Sequence, residues 1–119
     1  MESEFERQIK KGVLKMIVLG LICKKPNYGY ELLSLLDQQS NGLLAMKEGT
    51  LYPILYRLED EGLIKSQWKT NDESAAKSRS APKKVYSATE KGLSALKEQK
   101  EVWRRFSKCI DSFCEEESK

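Results

Sequence analysis

The chain has 119 residues, of which 33% are charged and 39% hydrophobic, and its formal net charge is +3. This balance is expected of one soluble globular domain with a modest core, not of a disordered chain, and a charge this small does not by itself name a polyanionic partner. There is no histidine, so no Ser-His or Cys-His catalytic pair can be built and the usual zinc ligand sets are incomplete, while three cysteines without CxxC spacing are expected to be reduced thiols.

Phe5, Ile9, Val13, Met16, Ile17 and Leu21 recur at helical spacing, which predicts a first helix over residues 5 to 24, ended by Pro26. The apolar run from Val13 to Cys23 is broken by Lys15 and Gly20 and is too short for a bilayer. The charged start MESEFERQ has no signal-peptide pattern, so a cytoplasmic protein that does not engage a membrane is expected. Tyr28 to Gln39 predicts a second helix, with Leu32, Leu35 and Leu36 on one side, and "SNG" from Ser40 to Gly42 predicts a turn. The following "LLAM" reads as a short extended link.

Leu51, Ile54, Leu55 and Leu58 fall at i, i+3, i+4 and i+7, one buried face of a third helix that Gly62 stops. Pro53 lacks an N–H and is best tolerated in a first turn, so the helix is expected to begin near Glu48 or Gly49. Thr50, Pro53 and Arg57 then project away from the leucines. Leu63 to Lys69 alternates as a strand, "TNDESAAKSRSAP" reads as a loop, and "KKVYSAT" as the returning strand. Thr89 caps a last helix whose Leu93, Leu96, Trp103, Phe106, Ile110 and Phe113 form a coiled-coil-like seam, for which a second copy of the chain is a natural mate.

The expected fold class is therefore mainly α with a small β-hairpin: a winged helix-turn-helix with a long C-terminal dimerisation helix. Residues 1–88 would form the DNA-binding part, with the wing at about 63–88. Residues 89–119 would form the dimerisation helix, all in a single compact unit. Basic residues sit at Arg7, Lys10, Lys11 and Lys15 and again at Lys77, Arg79, Lys83 and Lys84, whereas Glu115, Glu116 and Glu117 lie at the end. No phosphate-binding glycine loop is present and no cofactor is implied.

"YGYEL" (Tyr28 to Leu32), "KEGTLYPILYRLEDEGLI" (Lys47 to Ile64) and "PKKVYSATEKG" (Pro82 to Gly92) resemble the PadR-like transcriptional regulators. The likeness covers roughly residues 10 to 92. Its single C-terminal helix is similar to that of the small subgroup that includes multidrug-binding members. In the wing, Lys83, Lys84, Val85 and Tyr86 replace the family's usual arginine-lysine-tyrosine-tyrosine run. The resemblance implies a homodimer on an inverted-repeat operator in double-stranded DNA, acting most often as a repressor released by a small aromatic or phenolic, drug-like effector.

The plain reading of Arg57 is a solvated charge. The helix order and the resemblance favour DNA contact, where arginine can bond guanine O6 and N7 or a phosphate. Thr50 and Pro53 offer a methyl and a ring face to thymine methyls, and Gly49 allows close backbone approach. Tyr52 has two open readings, phosphate contact or core. Tyr30 can donate to a phosphate; Tyr28 reads as packing and Trp68 as structural. Lys47, Lys83 and Lys84 are phosphate contacts or plain solubilising charges. Trp103, on its own, reads as seam packing; the resemblance gives it the place of a tryptophan that stacks on flat ligands. By the same family plan Ile9, Gly12 and Met16 of the first helix cross the partner's last helix and, with Trp103 and Phe106, line the effector pocket. Leu96, Trp103, Phe106, Ile110 and Phe113 would form the dimer interface. Two rival readings are a protein-interaction module that uses the last helix on a winged-helix scaffold, and an RNA-binding winged helix.

Overall fold

A computed structural model of the chain describes residues 2–69 and 83–115. The predicted loop from Thr70, its basic Lys77 and Arg79, and the terminal Glu116 and Glu117 lie outside the described residues.

The first helix, α1, spans Glu4–Lys24. Ser3 and Glu6 form a reciprocal capping box, the Ser3 Oγ accepting the Glu6 N–H at 3.1 Å and the Glu6 carboxylate the Ser3 N–H at 2.9 Å. The chain then runs through a two-residue strand, β1 (Asn27–Tyr28), that the sequence reading assigns in part to the second helix. That helix, α2, covers Gly29–Gln39. Asn41 and Gly42 take φ of 56° and 87°, the left-handed region that these residue types accept most readily. Ser40 ties the turn together, its hydroxyl donating to the Leu36 carbonyl and accepting the Leu44 N–H. The predicted extended link is therefore mostly turn: Leu43 and Ala45 donate back to the carbonyls of Ser40 and Gly42.

Helix α3 covers Glu48–Asp60. Its start agrees with the reading, but Pro53 stands sixth in the helix, beyond the first turn. The N–H it lacks would have met the Gly49 carbonyl, and Gly49 is exposed, so water can take that acceptor. Gly62, at φ 78°, ends the helix in a Schellman arrangement: Leu63 N–H reaches the Leu58 carbonyl at 2.9 Å and Gly62 N–H that of Glu59 at 3.0 Å. Strands β2 (Ile64–Lys69) and β3 (Lys83–Ala88) pair antiparallel from Ile64↔Ala88 to Lys69↔Lys83. β1 adds on the other side of β3 through Asn27↔Tyr86 and Tyr28↔Val85, giving a three-stranded sheet rather than a bare hairpin.

The core is small and continuous. Val18, Leu19 and Ile22 of α1, Leu32 and Leu36 of α2, and Leu51, Leu55 and Leu58 of α3 close on Leu63, Ile64 and Tyr86. The last helix, α4, spans Glu90–Cys114, about 37 Å at 1.5 Å per residue. Only its first turns touch this core. Gly92 is buried, and Ala95 and Leu96 are half-buried against the core, with Leu96 facing Gly20. Beyond them Trp103, Phe106, Ile110 and Phe113 are all exposed, as are Phe5 and Ile9 at the far end of α1. Leu96 therefore packs in part on its own chain, while the later four stay exposed.

The junction that fixes α4 is tight. Thr89 Oγ1 donates to the Gly62 carbonyl at 2.7 Å and accepts the Gly92 N–H at 3.0 Å, while Thr89 N–H reaches the Leu63 carbonyl. A Cβ at position 92 would fall 2.0 Å from the Leu63 carbonyl oxygen. Helix propensity alone makes Gly92→Ala stabilising by about 1 kcal/mol; the backbone clash reverses the sign. Thermal denaturation should show a loss of about 1–3 kcal/mol, the usual range for overpacking, and an unchanged or raised Tm would show that the junction is loose.

Candidate nucleic-acid interface

Burial of Leu51, Leu55 and Leu58 decides the orientation of α3. With these three side chains at most 1% exposed, the remaining sides of the helix face out. Thr50, Tyr52, Pro53, Tyr56 and Arg57 are all exposed, along with Lys47 and Gly49 at the helix start. No neighbour lies within 4 Å of where a Gly49 Cβ would be, so nothing inside the chain requires a glycine there.

Tyr52 is partly packed and partly exposed. Its ring lies across the start of α2 so closely that a Cβ on Gly29 would run into the phenol oxygen, yet the residue remains 40% exposed. Gly29 is thus the residue that lets α2 and α3 approach, which accounts for the glycine of "YGYEL". Tyr56 is the residue the sequence reading missed. It is 77% exposed and lines two adjoining clefts, one with Pro53, Arg57, Glu59 and Asp60 and one with Tyr52, Pro53, Glu59, Lys84 and Tyr86. An apolar residue off the leucine face of a helix with a free front was the available signal.

The wing meets this front through Lys84, which lines the second cleft and stands over the Trp68 ring at 5.2 Å from its centroid. Trp68 is exposed, so its expected structural role reduces to this stacking at the strand surface. Lys83 stands over the ring of Tyr30 at 5.1 Å, and Tyr30 stacks nearly parallel on Tyr28 at 5.7 Å. Tyr30 and Lys83 thus form one group and Lys84, Tyr52, Pro53, Tyr56 and Arg57 another, on elements joined by the sheet. Glu59 holds β2 against α3 by accepting the Ser66 hydroxyl at 2.6 Å.

The residues expected around an effector are not brought into one cavity by a single chain. Gly12 has open space beside it, Met16 is half-buried, and Ile9, Trp103 and Phe106 are exposed. None of the clefts described above includes them.

A helix with a buried leucine back and an exposed basic and aromatic front, beside a short wing, is the arrangement of a winged helix-turn-helix. The model of the transcriptional regulator PadR-like family matches residues 18–98. The chain belongs to the PadR-like family of transcriptional regulators.

Solved structures of PadR regulators agree with its fold. A PadR family regulator from Eggerthella lenta is 30% identical, with a TM-score of 0.78 over 92% of this chain and 88% of that one. A PadR-like regulator from Bacillus cereus is 34% identical, with a TM-score of 0.75 over 92% and 99%. Among relatives known by sequence, the chain is 32% identical to uncharacterized protein X of Lysinibacillus sphaericus, over 90% of its own length and 93% of that protein. It is 24% identical to the transcriptional regulator YqjI of Escherichia coli, over 92% of its own length but 48% of YqjI. PadR-like proteins are DNA-binding transcription regulators, not enzymes. The family match ends at residue 98, before Trp103 and the rest of the exposed seam. Among the described residues no helix is long and apolar enough to cross a membrane.

One group under the PadR-like interface has a shifted pKa that can be read in solution. Burial of Tyr86, reinforced by nearby Tyr52 and Glu59, pushes its phenol above the ordinary tyrosine range. The folded state then binds that proton more tightly than the unfolded state. Stability is unaffected well below pH 10 and falls as the pH rises past about 10, where the unfolded phenol ionises and the folded one does not. Denaturant titrations from pH 8 to 11 should show this fall, and a shallower one for Tyr86→Phe; equal slopes would mean that Tyr86 is solvated.

Proposed function

We propose that the chain is a homodimeric repressor that lays the front of α3 in the major groove of an inverted-repeat operator, with Lys83 and Lys84 on flanking phosphates. The observation that carries this reading is the front itself: Thr50, Pro53, Tyr56 and Arg57 stay exposed while the leucine back of the same helix is sealed in the core. On this reading Arg57 reads a base edge or holds a phosphate. Tyr30, Lys47, Gly49 and Tyr52 settle the helix against the backbone.

Dimerisation is supported by the length of α4 left without a partner. Trp103, Phe106, Ile110 and Phe113 repeat at three-four spacing and are all exposed among the described residues, which is the requirement of a helix-to-helix seam. A two-fold dimer would set its two α3 helices about 34 Å apart, one turn of DNA. A flat aromatic effector between Trp103 and Phe106 of one chain and Ile9, Gly12 and Met16 of the other would alter that spacing, and thereby release DNA, only if it binds one spacing better than the other.

Fluorescence anisotropy should show that Arg57→Ala weakens binding to duplex from the gene's own upstream region by about 1–3 kcal/mol, narrows the margin over a scrambled duplex, and leaves Tm unchanged. An unaltered margin would remove Arg57 from base readout. In light scattering the wild type should run as a dimer and Phe106→Asp as a monomer. A monomeric wild type would leave the seam free for a different protein and favour the interaction-module reading.

A further inference from the structure

The basic residues of α1 gather on one side. Helical periodicity places Arg7, Lys10, Lys11 and Leu14 together and sets Phe5, Ile9, Gly12 and Met16 opposite. The basic side does not simply face bulk solvent. With Leu44, Ala45 and Met46 of the turn and Thr50 of α3, it lines a cleft of about 340 Å³. Thr50 belongs to the front of α3, so the cleft opens beside the start of the helix that reads DNA.

The cleft is partly neutralised from within. Glu2 also lines it, accepting from Lys10 Nζ at 2.6 Å and lying 3.8 Å from Arg7 Nε; Arg7 further reaches Glu4 at 3.5 Å. The Lys10 hydrogen bond holds the Glu2 carboxyl below the ordinary carboxylate range. Lys15 is committed elsewhere, to Glu61 at 2.7 Å. Lys11 makes no ion pair among the described residues. Three cations thus converge on a space whose lining offers one carboxylate, carried at the end of the chain before α1.

We propose that this cleft is a second DNA contact, in which Arg7, Lys10 and Lys11 grip a backbone phosphate flanking the base pairs under α3, and that Glu2 is an internal stand-in which the phosphate displaces. The proposal rests on the reading of α3 as the groove-binding helix: a duplex on its front carries one strand past Thr50 and so past the cleft. Phosphate contacts position the protein without reading sequence, and each adds about one to the slope of affinity against salt.

Anisotropy titrations over a salt series, on the upstream duplex and a scrambled one, test this in the full chain. The Lys10→Ala/Lys11→Ala double variant should lower the salt slope by about two on both duplexes and leave their affinity ratio unchanged. Lys97→Ala, an exposed lysine on α4, should leave the slope unchanged and so controls for net charge. Glu2→Gln should bind both duplexes about two- to fivefold more tightly, the range set by one exposed ion pair. An unchanged slope in the double variant, or an equal loss in Lys97→Ala, overturns the proposal. If Arg57→Ala loses specificity in the same series while the double variant keeps its slope, α3 reads DNA and the cleft faces away. If Arg57→Ala has no effect either, the reading of α3 fails with it.

Discussion

The proposed DNA-reading front depends on the burial of three leucines. Leu51, Leu55 and Leu58 anchor α3 to α1, α2 and the first residues of the wing, and their spacing fixes the rotation of the helix about its axis. Once the back is fixed, the outward set follows: Thr50, Pro53, Tyr56 and Arg57 have no alternative place. A front of this kind, held on a rigid back, can approach a groove without first being ordered, and binding then costs less conformational entropy.

The same core fixes two further directions. The Schellman end of α3 at Gly62 turns the chain into β2, and Thr89 bonds back to that turn from the start of α4. The end of the proposed DNA-reading helix and the start of the proposed dimer helix are thereby joined through one knot of hydrogen bonds. In the proposed dimer, a change in how two α4 helices cross would move both α3 helices as rigid attachments, and the proposed interface ligand would act on half-site spacing by that route.

Much of this was legible in the sequence because it is local. The leucine period, the Gly62 stop, the Thr89 cap and the seam each involve residues within a few positions of one another. What was not legible depends on contacts distant in sequence. A two-residue strand at Asn27–Tyr28 is too short to show alternation and exists because β3 offers it an edge. Gly92 sits where a capping box would want an acid, and the Leu63 carbonyl is the reason. Gly29 is explained only by the ring of Tyr52, more than twenty positions on. Pro53 differs in another way: the helix holds it beyond the first turn, and Gly49, whose carbonyl it leaves without a partner, is an exposed residue. Tyr56 stands outside the periodic apolar set, so the leucine period does not mark its exposure.

The most direct test is hydroxyl-radical footprinting of the wild-type protein on its own upstream DNA. The account predicts two protected patches on one face of the duplex, centred about 10 base pairs apart, and no such pair of patches on a scrambled duplex. Uniform weak protection, or one patch without a partner a helical turn away, would contradict a dimer that presents two α3 fronts to successive major grooves.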